Sequence, residues 1–299
     1  PTLSSALCPK MAGTVCCKRR SVLMLSVIRS HLTASARLCS SSAITSHYAE
    51  VNGVRIHYEK TGSGKHPLLL LPGALGSTRT DFTPQLEKLS KDKYTVFAFD
   101  PRGYGRSIPP ERDWPLDYFK RDADDAVALM KSVQQKQFSI LGWSDGGITG
   151  LVIAGQHPDL VKRLVVWGSN AYILPSDMDA FQKIEDLTKW SARMREPFVK
   201  VYGMEYFQKH WKNWIAAYGR YVEERKGDIC IEETKKIRCP TLIVHGQKDA
   251  LVVQEHPDYL HATIPGSVLV NWPEAKHNLH LRYADEFNTL VEQFLDKEI

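Results

Sequence analysis

Phe138-Ser139-Ile140-Leu141-Gly142-Trp143-Ser144-Asp145-Gly146-Gly147-Ile148 is the stretch on which the fold turns. A short continuous apolar run ends at Gly142, and a helical pattern follows in Ile148, Leu151 and Val152. That is strand, sharp turn, helix, with a serine at the turn. A serine placed there is forced into a strained backbone that pushes its hydroxyl out of the sheet. The flanking glycines answer a steric need, because neighbouring chain segments pass too close for a Cβ. The bare G-x-S-x-G pattern is common by chance. Its weight comes from sitting on a strand–helix junction.

Working outward, other apolar runs repeat the pattern. Leu68–Leu71 ends at Pro72-Gly73, and Tyr94–Phe99 ends at Asp100-Pro101; Leu164–Trp167, Thr241–Val244 and Val268–Val270 follow. Runs without alternation suit strands of a parallel sheet covered on both faces. Val51–Glu59 alternates as a strand, with a turn at Asn52-Gly53. Between the runs lie helical faces. Phe119, Ala123, Ala126, Val127, Met130 and Val133 form one, and Phe287, Leu290, Val291, Phe294 and Leu295 form another. The alternation predicts an α/β fold with a mostly parallel, doubly wound sheet over residues 46–170 and 237–299. Residues 171–236 break the rhythm. They offer no convincing strand and carry Tyr172, Phe181, Trp190, Phe198, Tyr202, Tyr206, Phe207, Trp211, Trp214 and Tyr218. We read them as a helical cap inserted between two strands. Most of these rings pack its small core, and a few face substrate.

An alcohol is a weak nucleophile at neutral pH and needs a base. Among eleven histidines, His277 lies between the last apolar run and the last helix, in a loop at a strand's C-terminal end. His280 is the alternative base, and His245, on a strand end, reads as structural. Asp249 follows the strand Thr241–Val244 and is the carboxylate expected to orient the histidine. Asp228 and Asp177 are alternatives inside the insertion. The order Ser144, Asp249, His277 is that of hydrolases built on a nucleophile elbow. The oxyanion requires backbone donors. The segment Leu70-Leu71-Pro72-Gly73-Ala74-Leu75-Gly76 nominates the Ala74 amide, with Leu75 second, and the residue after the nucleophile supplies the Asp145 amide. The loop Asp100–Ser107 reads as support for the mouth of the site, with Arg102 in an ion pair.

The formal net charge is +5, but its position matters. Residues 1–49 contain no acidic residue and six basic ones: Lys10, Lys18, Arg19, Arg20, Arg29 and Arg37. Removing those six from +5 leaves about −1 for residues 50–299, so no nucleic-acid partner is expected. The basic, Ser- and Ala-rich residues 1–45, with Val22–Leu25, Val27 and Ile28 among the cations, have the composition of a mitochondrial transit peptide. Met11 is a candidate natural start. Four of the six cysteines fall in this leader. Cys230 and Cys239 alone make no disulfide framework and no metal-ligand spacing. No apolar run reaches the length of a membrane span. The expected partner is a small-molecule ester, with no cofactor, no metal, no membrane span and a monomeric chain.

From Ser46 to Ile299 these residues resemble the α/β-hydrolase superfamily. More narrowly they resemble its biphenyl hydrolase-like family, through Val51-Asn52-Gly53-Val54, Asp100–Gly105, Gly142–Thr149, Val244-His245-Gly246 and Lys276–Arg282. The resemblance implies a mitochondrial hydrolase of α-amino acid esters, amino-acid ester prodrugs included. It also implies that the acid after the nucleophile, here Asp145, recognises the substrate's α-amino group. Physical chemistry points the same way: a carboxylate beside the nucleophile repels anionic substrates and attracts an ammonium near the scissile carbonyl. Ser144 rules against epoxide hydrolases and dehalogenases, which need a carboxylate there. A carbon–carbon bond hydrolase or general carboxylesterase on the same triad stays open, as does a non-catalytic binding member of the fold. Asp145 disfavours the acidic dienones of the first.

Overall fold

Asn52 and Gly53 adopt φ of 48° and 76°, the paired left-handed geometry of a two-residue hairpin turn. They join β1 (Thr45–Val51) to β2 (Val54–Thr61), so the stretch read as one strand is the end of one and most of another. β1 left no apolar signal because it is an edge strand exposed along most of its length. The structure, a computed structural model, describes residues 43–297. The leader expected over residues 1–45 lies almost wholly outside them.

Eight strands form one sheet in the order β1-β2-β4-β3-β5-β6-β7-β8. The others are β3 (His66–Leu71), β4 (Tyr94–Phe99), β5 (Phe138–Trp143), β6 (Val161–Trp167), β7 (Thr241–Gly246) and β8 (Val268–Trp272). β2 runs antiparallel to both neighbours, and every pairing from β4 to β8 is parallel. The apolar runs of β3 are apolar for a reason visible in the packing. Leu69 and Leu71 face one side, against Phe119, Ala123 and Met130 of α2 (Tyr118–Ser132) and Ile148 and Leu151 of α3 (Asp145–Gln156). Leu68 and Leu70 face the other, with Phe82 and Leu86 of α1 (Thr78–Lys88) and Phe287, Val291 and Phe294 of the C-terminal helix Ala284–Leu295. Both faces are dry, so strand alternation disappears from the sequence. β8 departs from that expectation: it closes the sheet as an edge strand, and Val268 is exposed.

Between β6 and β7 the described chain makes only helices and loops. They are α4 (Pro175–Lys183), a 3-10 turn at Leu187–Lys189, α5 (Ala192–Tyr202), α6 (Met204–Arg225) and α7 (Ile231–Thr234). A single bridge, Tyr172 to Asp228, ties the ends of the excursion together. α6 buries Phe207, Trp211, Trp214, Tyr218 and Tyr221, spaced at three and four residues along one face. α8 (Glu255–Thr263), α9 (Leu279–Arg282) and α10 (Ala284–Leu295) complete the fold. No described helix is long and apolar enough to cross a membrane.

Candidate active site

Ser144 stands between β5 and α3 with φ 54° and ψ −123°. Few non-glycine residues take a positive φ, and the conformation costs on the order of 1 kcal/mol or more. Bonds on both sides hold it there. The Ser144 N–H donates to the Trp167 carbonyl at 3.0 Å, and the Ser169 hydroxyl donates to the Ser144 carbonyl at 3.0 Å. The glycines do what the motif demands. A Cβ on Gly142 would lie 2.5 Å from the Gly146 carbonyl oxygen, and one on Gly146 would collide with the Leu71 and Pro72 carbonyls of the neighbouring strand end.

His277 and Asp249 come together from the loops after β8 and β7. His277 Nδ1 and Asp249 Oδ2 are 2.8 Å apart, while Asp249 Oδ1 accepts the Leu251 and Val252 amides at 2.9 and 3.1 Å. Burial opposes charge on Asp249, yet the adjacent imidazole and those amides hold its carboxyl below the usual range. Burial likewise works against His277. The Asp249 charge and hydrogen bond, helped by Asp145 and Asp81, outweigh it and raise the imidazole above its ordinary value. The ring lies against the β6 end, where a Cβ on Gly168 would be 2.9 Å from Cε1. The same strand end anchors the Ser144 amide, and the Trp143 indole N–H donates to the His277 carbonyl at 3.0 Å. Ser144 and His277 therefore flank one strand terminus.

The oxyanion candidates also converge. Gly73 borders the elbow so closely that a Cβ there would sit 3.3 Å from Ser144 Cβ. Its carbonyl accepts the Gly76 amide at 2.9 Å, closing a turn in which Leu75 has φ 52°. Ala74, partly exposed, stands at the tip of this turn. Leu75 is fully buried whereas Ala74 is half-buried, which makes Ala74 the more accessible of the two. The Asp145 amide opens α3, where the first helical N–H groups have no intrahelical acceptor and the helix dipole favours negative charge.

Asp145, expected from the sequence, sits in surroundings that the sequence did not show. Its side chain is buried, and its oxygens meet the inserted helix: Trp214 Nε1 donates to Oδ2 at 2.8 Å, and the Tyr218 hydroxyl donates to Oδ1 at 2.8 Å. Burial raises the carboxyl to about 6, against the Tyr218 and Trp214 bonds and the charge of Arg112. Among the described residues Asp145 makes no ion pair. The groups bonded to it are neutral and aromatic.

The alternatives are engaged elsewhere. His280 is fully buried, accepting from Trp167 Nε1 at 2.9 Å through Nδ1 and donating to the Asp81 carbonyl at 3.0 Å through Nε2. Burial drives its pKa down to about 3, so it is a neutral packing histidine with both nitrogens committed. His245 is buried in β7. Asp177 pairs with His256 at 2.8 Å, and Asp228 accepts the Ile231 amide. Arg102 is held by Asp125 through two bonds of 2.6 and 2.7 Å. Sequence reasoning missed the particular roles of Trp214 and Tyr218, although their i, i+4 spacing on an aromatic helix was there to be read. It also missed Asp81, which accepts the Gly73 amide at 2.9 Å and carries no motif of its own. No group of three or more described His, Cys, Asp or Glu side chains could hold a metal ion.

Known proteins share this fold. Residues 66–194 match the family model for the alpha/beta hydrolase fold. The chain is 48% identical to mouse Serine hydrolase BPHL over 280 residues, covering 93% of this chain and 96% of the relative. It is 50% identical to the human protein of that name over 254 residues, covering 85% and 87%. Among solved structures, the enol-lactonase from Burkholderia xenovorans LB400 superposes with a TM-score of 0.66 at 26% identity, over 84% of this chain and all of that one. The nucleophile elbow, the parallel sheet and these relatives together show that the chain belongs to the Serine hydrolase BPHL family of α/β hydrolases.

Proposed function

We propose that this serine hydrolase cleaves carboxylic esters of α-amino acids, amino-acid ester prodrugs among them, through an acyl-enzyme on Ser144. His277 Nε2 takes the Ser144 proton as Oγ attacks the ester carbonyl, and Asp249 holds the imidazole and stabilises its charged form. The Asp145 and Ala74 amides receive the oxyanion. His277 then protonates the departing alcohol, and a water molecule, activated by the same base, releases the amino acid. The inserted helices act as a cap over the acyl group, and the alcohol leaves toward solvent.

One observation carries the specificity. A carboxylate lies next to the nucleophile, out of water, with only neutral donors bonded to it. An ionised carboxyl offers about four acceptor positions, so Trp214 and Tyr218 leave acceptor capacity for an ammonium. Supplying that charge would offset the burial that raises Asp145. The test is kcat/KM for a valine ester against its N-acetyl and des-amino analogues; equal values for all three would refute the preference.

For the leader we propose a mitochondrial address, on the strength of six basic and no acidic residues before Glu50. A fusion of residues 1–45 to a fluorescent reporter should concentrate in mitochondria. A diffuse cytosolic signal would contradict it.

A further inference from the structure

Asp81 is a buried carboxylate that the mechanism above leaves unused. It lies in the first turn of α1, 1% exposed, with Oδ2 accepting the Gly73 amide at 2.9 Å and Oδ1 accepting the Thr80 hydroxyl at 2.7 Å. Gly76 packs onto the carboxyl so closely that any Cβ there would strike it. The carboxyl therefore fills the inside of the Gly73–Gly76 turn. That turn needs an outside hold, because Leu75 occupies a backbone conformation that leucine avoids.

The same residue is bonded in a second direction. Its backbone carbonyl accepts His280 Nε2, His280 Nδ1 accepts the Trp167 indole, and the Trp167 carbonyl accepts the Ser144 amide. Trp143 packs at a tilt against His280, with ring centroids 4.6 Å apart, and donates to the His277 carbonyl. Asp81 thus joins the oxyanion turn to the network behind both nucleophile and base.

We propose that Asp81 is a positioning residue for acyl transfer: its carboxyl holds the Gly73–Gly76 turn in the form that presents the Ala74 amide to the developing oxyanion, and fixes that turn against the His280–Trp167 network. The inference rests on Ser144 as nucleophile and Ala74 as donor. Asp81 touches no reacting atom. The donor is needed most once the carbonyl becomes tetrahedral, so losing its alignment lowers kcat and leaves KM in place. Burial pushes Asp81 up to about 7, against the Thr80 and Gly73 bonds, with Asp100 adding to the rise. A neutral acceptor of the same shape therefore does nearly the same work, which makes asparagine the conservative variant.

The experiment compares Asp81→Leu, which keeps the branched shape without an acceptor, with Asp81→Asn. Each is measured for kcat and KM on a valine ester, for inhibition by phenylboronic acid, which forms a tetrahedral adduct on an activated serine, and for fluorophosphonate labelling. Asp81→Leu should lose roughly 30- to 100-fold in kcat with KM within about twofold, and boronate inhibition should weaken in parallel. Asp81→Asn should stay within about threefold of wild type. If Asp81→Leu does not fold, Gly76→Ala displaces the carboxyl from the other side and should give the same kcat loss at constant KM. An unchanged kcat, a loss confined to KM, or an asparagine variant as poor as leucine would overturn the proposal. Wild type that fails to label at Ser144 would instead overturn the nucleophile on which it rests.

Discussion

Replacing Asp145 with asparagine separates charge from shape at the specificity site. The structure says how the variant would sit. Trp214 Nε1 can only donate, so the asparagine Oδ1 must face it, and Nδ2 then faces Tyr218, whose hydroxyl can turn to accept. Both contacts survive, at the cost of leaving the Tyr218 hydroxyl hydrogen without its acceptor, and the residue 145 amide is retained for the oxyanion. What disappears is the attraction between a carboxylate and the substrate's ammonium. Two unit charges about 4 Å apart interact by about 4 kcal/mol at an effective dielectric of 20, and a charge-assisted hydrogen bond nets about 1.5–3 kcal/mol. With the Asp145 carboxyl raised to about 6, most of it is already ionised at pH 7.5, so little of that gain is spent on deprotonation. Wild type should therefore prefer a valine ester over its des-amino analogue by roughly 10- to 150-fold in kcat/KM. Asp145→Asn should reduce the ratio to within about threefold of unity while hydrolysing the des-amino ester at nearly the wild-type rate. The assay is steady-state hydrolysis of matched esters at pH 7.5. A variant that kept the full preference would show that the carboxylate does not read the amine.

Further expectations follow from the same geometry. Ser144→Ala should lower turnover by about 10⁴–10⁶ with melting unchanged, because an elbow hydroxyl contributes little packing; activity assays and calorimetry check both halves. His277→Ala should approach that loss, whereas His280→Ala should chiefly destabilise, by about 2–4 kcal/mol, since it strands the Trp167 indole and the Asp81 carbonyl in the core. A chemical denaturation series with kinetics on both variants tests the pair. Below about pH 6 protonation of Asp145 removes the charge that attracts the amine, so kcat/KM should fall more steeply for amino esters than for des-amino esters; the groups nearest Asp145 in charge, Arg112 and Asp122, are paired to each other. Tyr218→Phe removes a donor that lowers the Asp145 pKa, so this acid limb should move to higher pH.

How much of this was legible in the sequence depended on how local each signal is. The elbow, the triad order and the central strands show themselves because each obeys a short rule: glycines where a Cβ cannot fit, apolar runs where both faces are dry. β1 was invisible because an exposed edge strand has no apolar face to pattern it. β8 looked buried because its residue types are apolar, though its burial is only partial. His277 could be preferred to His280 by loop position alone, but only the packing shows that both His280 nitrogens are spent. Trp214, Tyr218 and Asp81 act across 69, 73 and 8 residues of chain; the i, i+4 spacing of the first two puts them on one helical face but does not say which carboxylate they meet. Asp145 itself was readable from its place beside the nucleophile, and the aromatic lining that keeps it dry was not.

The most direct test of the central claim uses a diphenyl phosphonate built on valine, which reacts with an activated serine only when seated as substrate is. Intact mass spectrometry followed by peptide mapping reads the product, and the rate is compared between the free-amine reagent and its N-acetyl form. A single adduct is expected, on Ser144, formed at least about 10-fold faster with the free amine and abolished in Ser144→Ala. No adduct on Ser144, or equal rates for the two reagents, would contradict it.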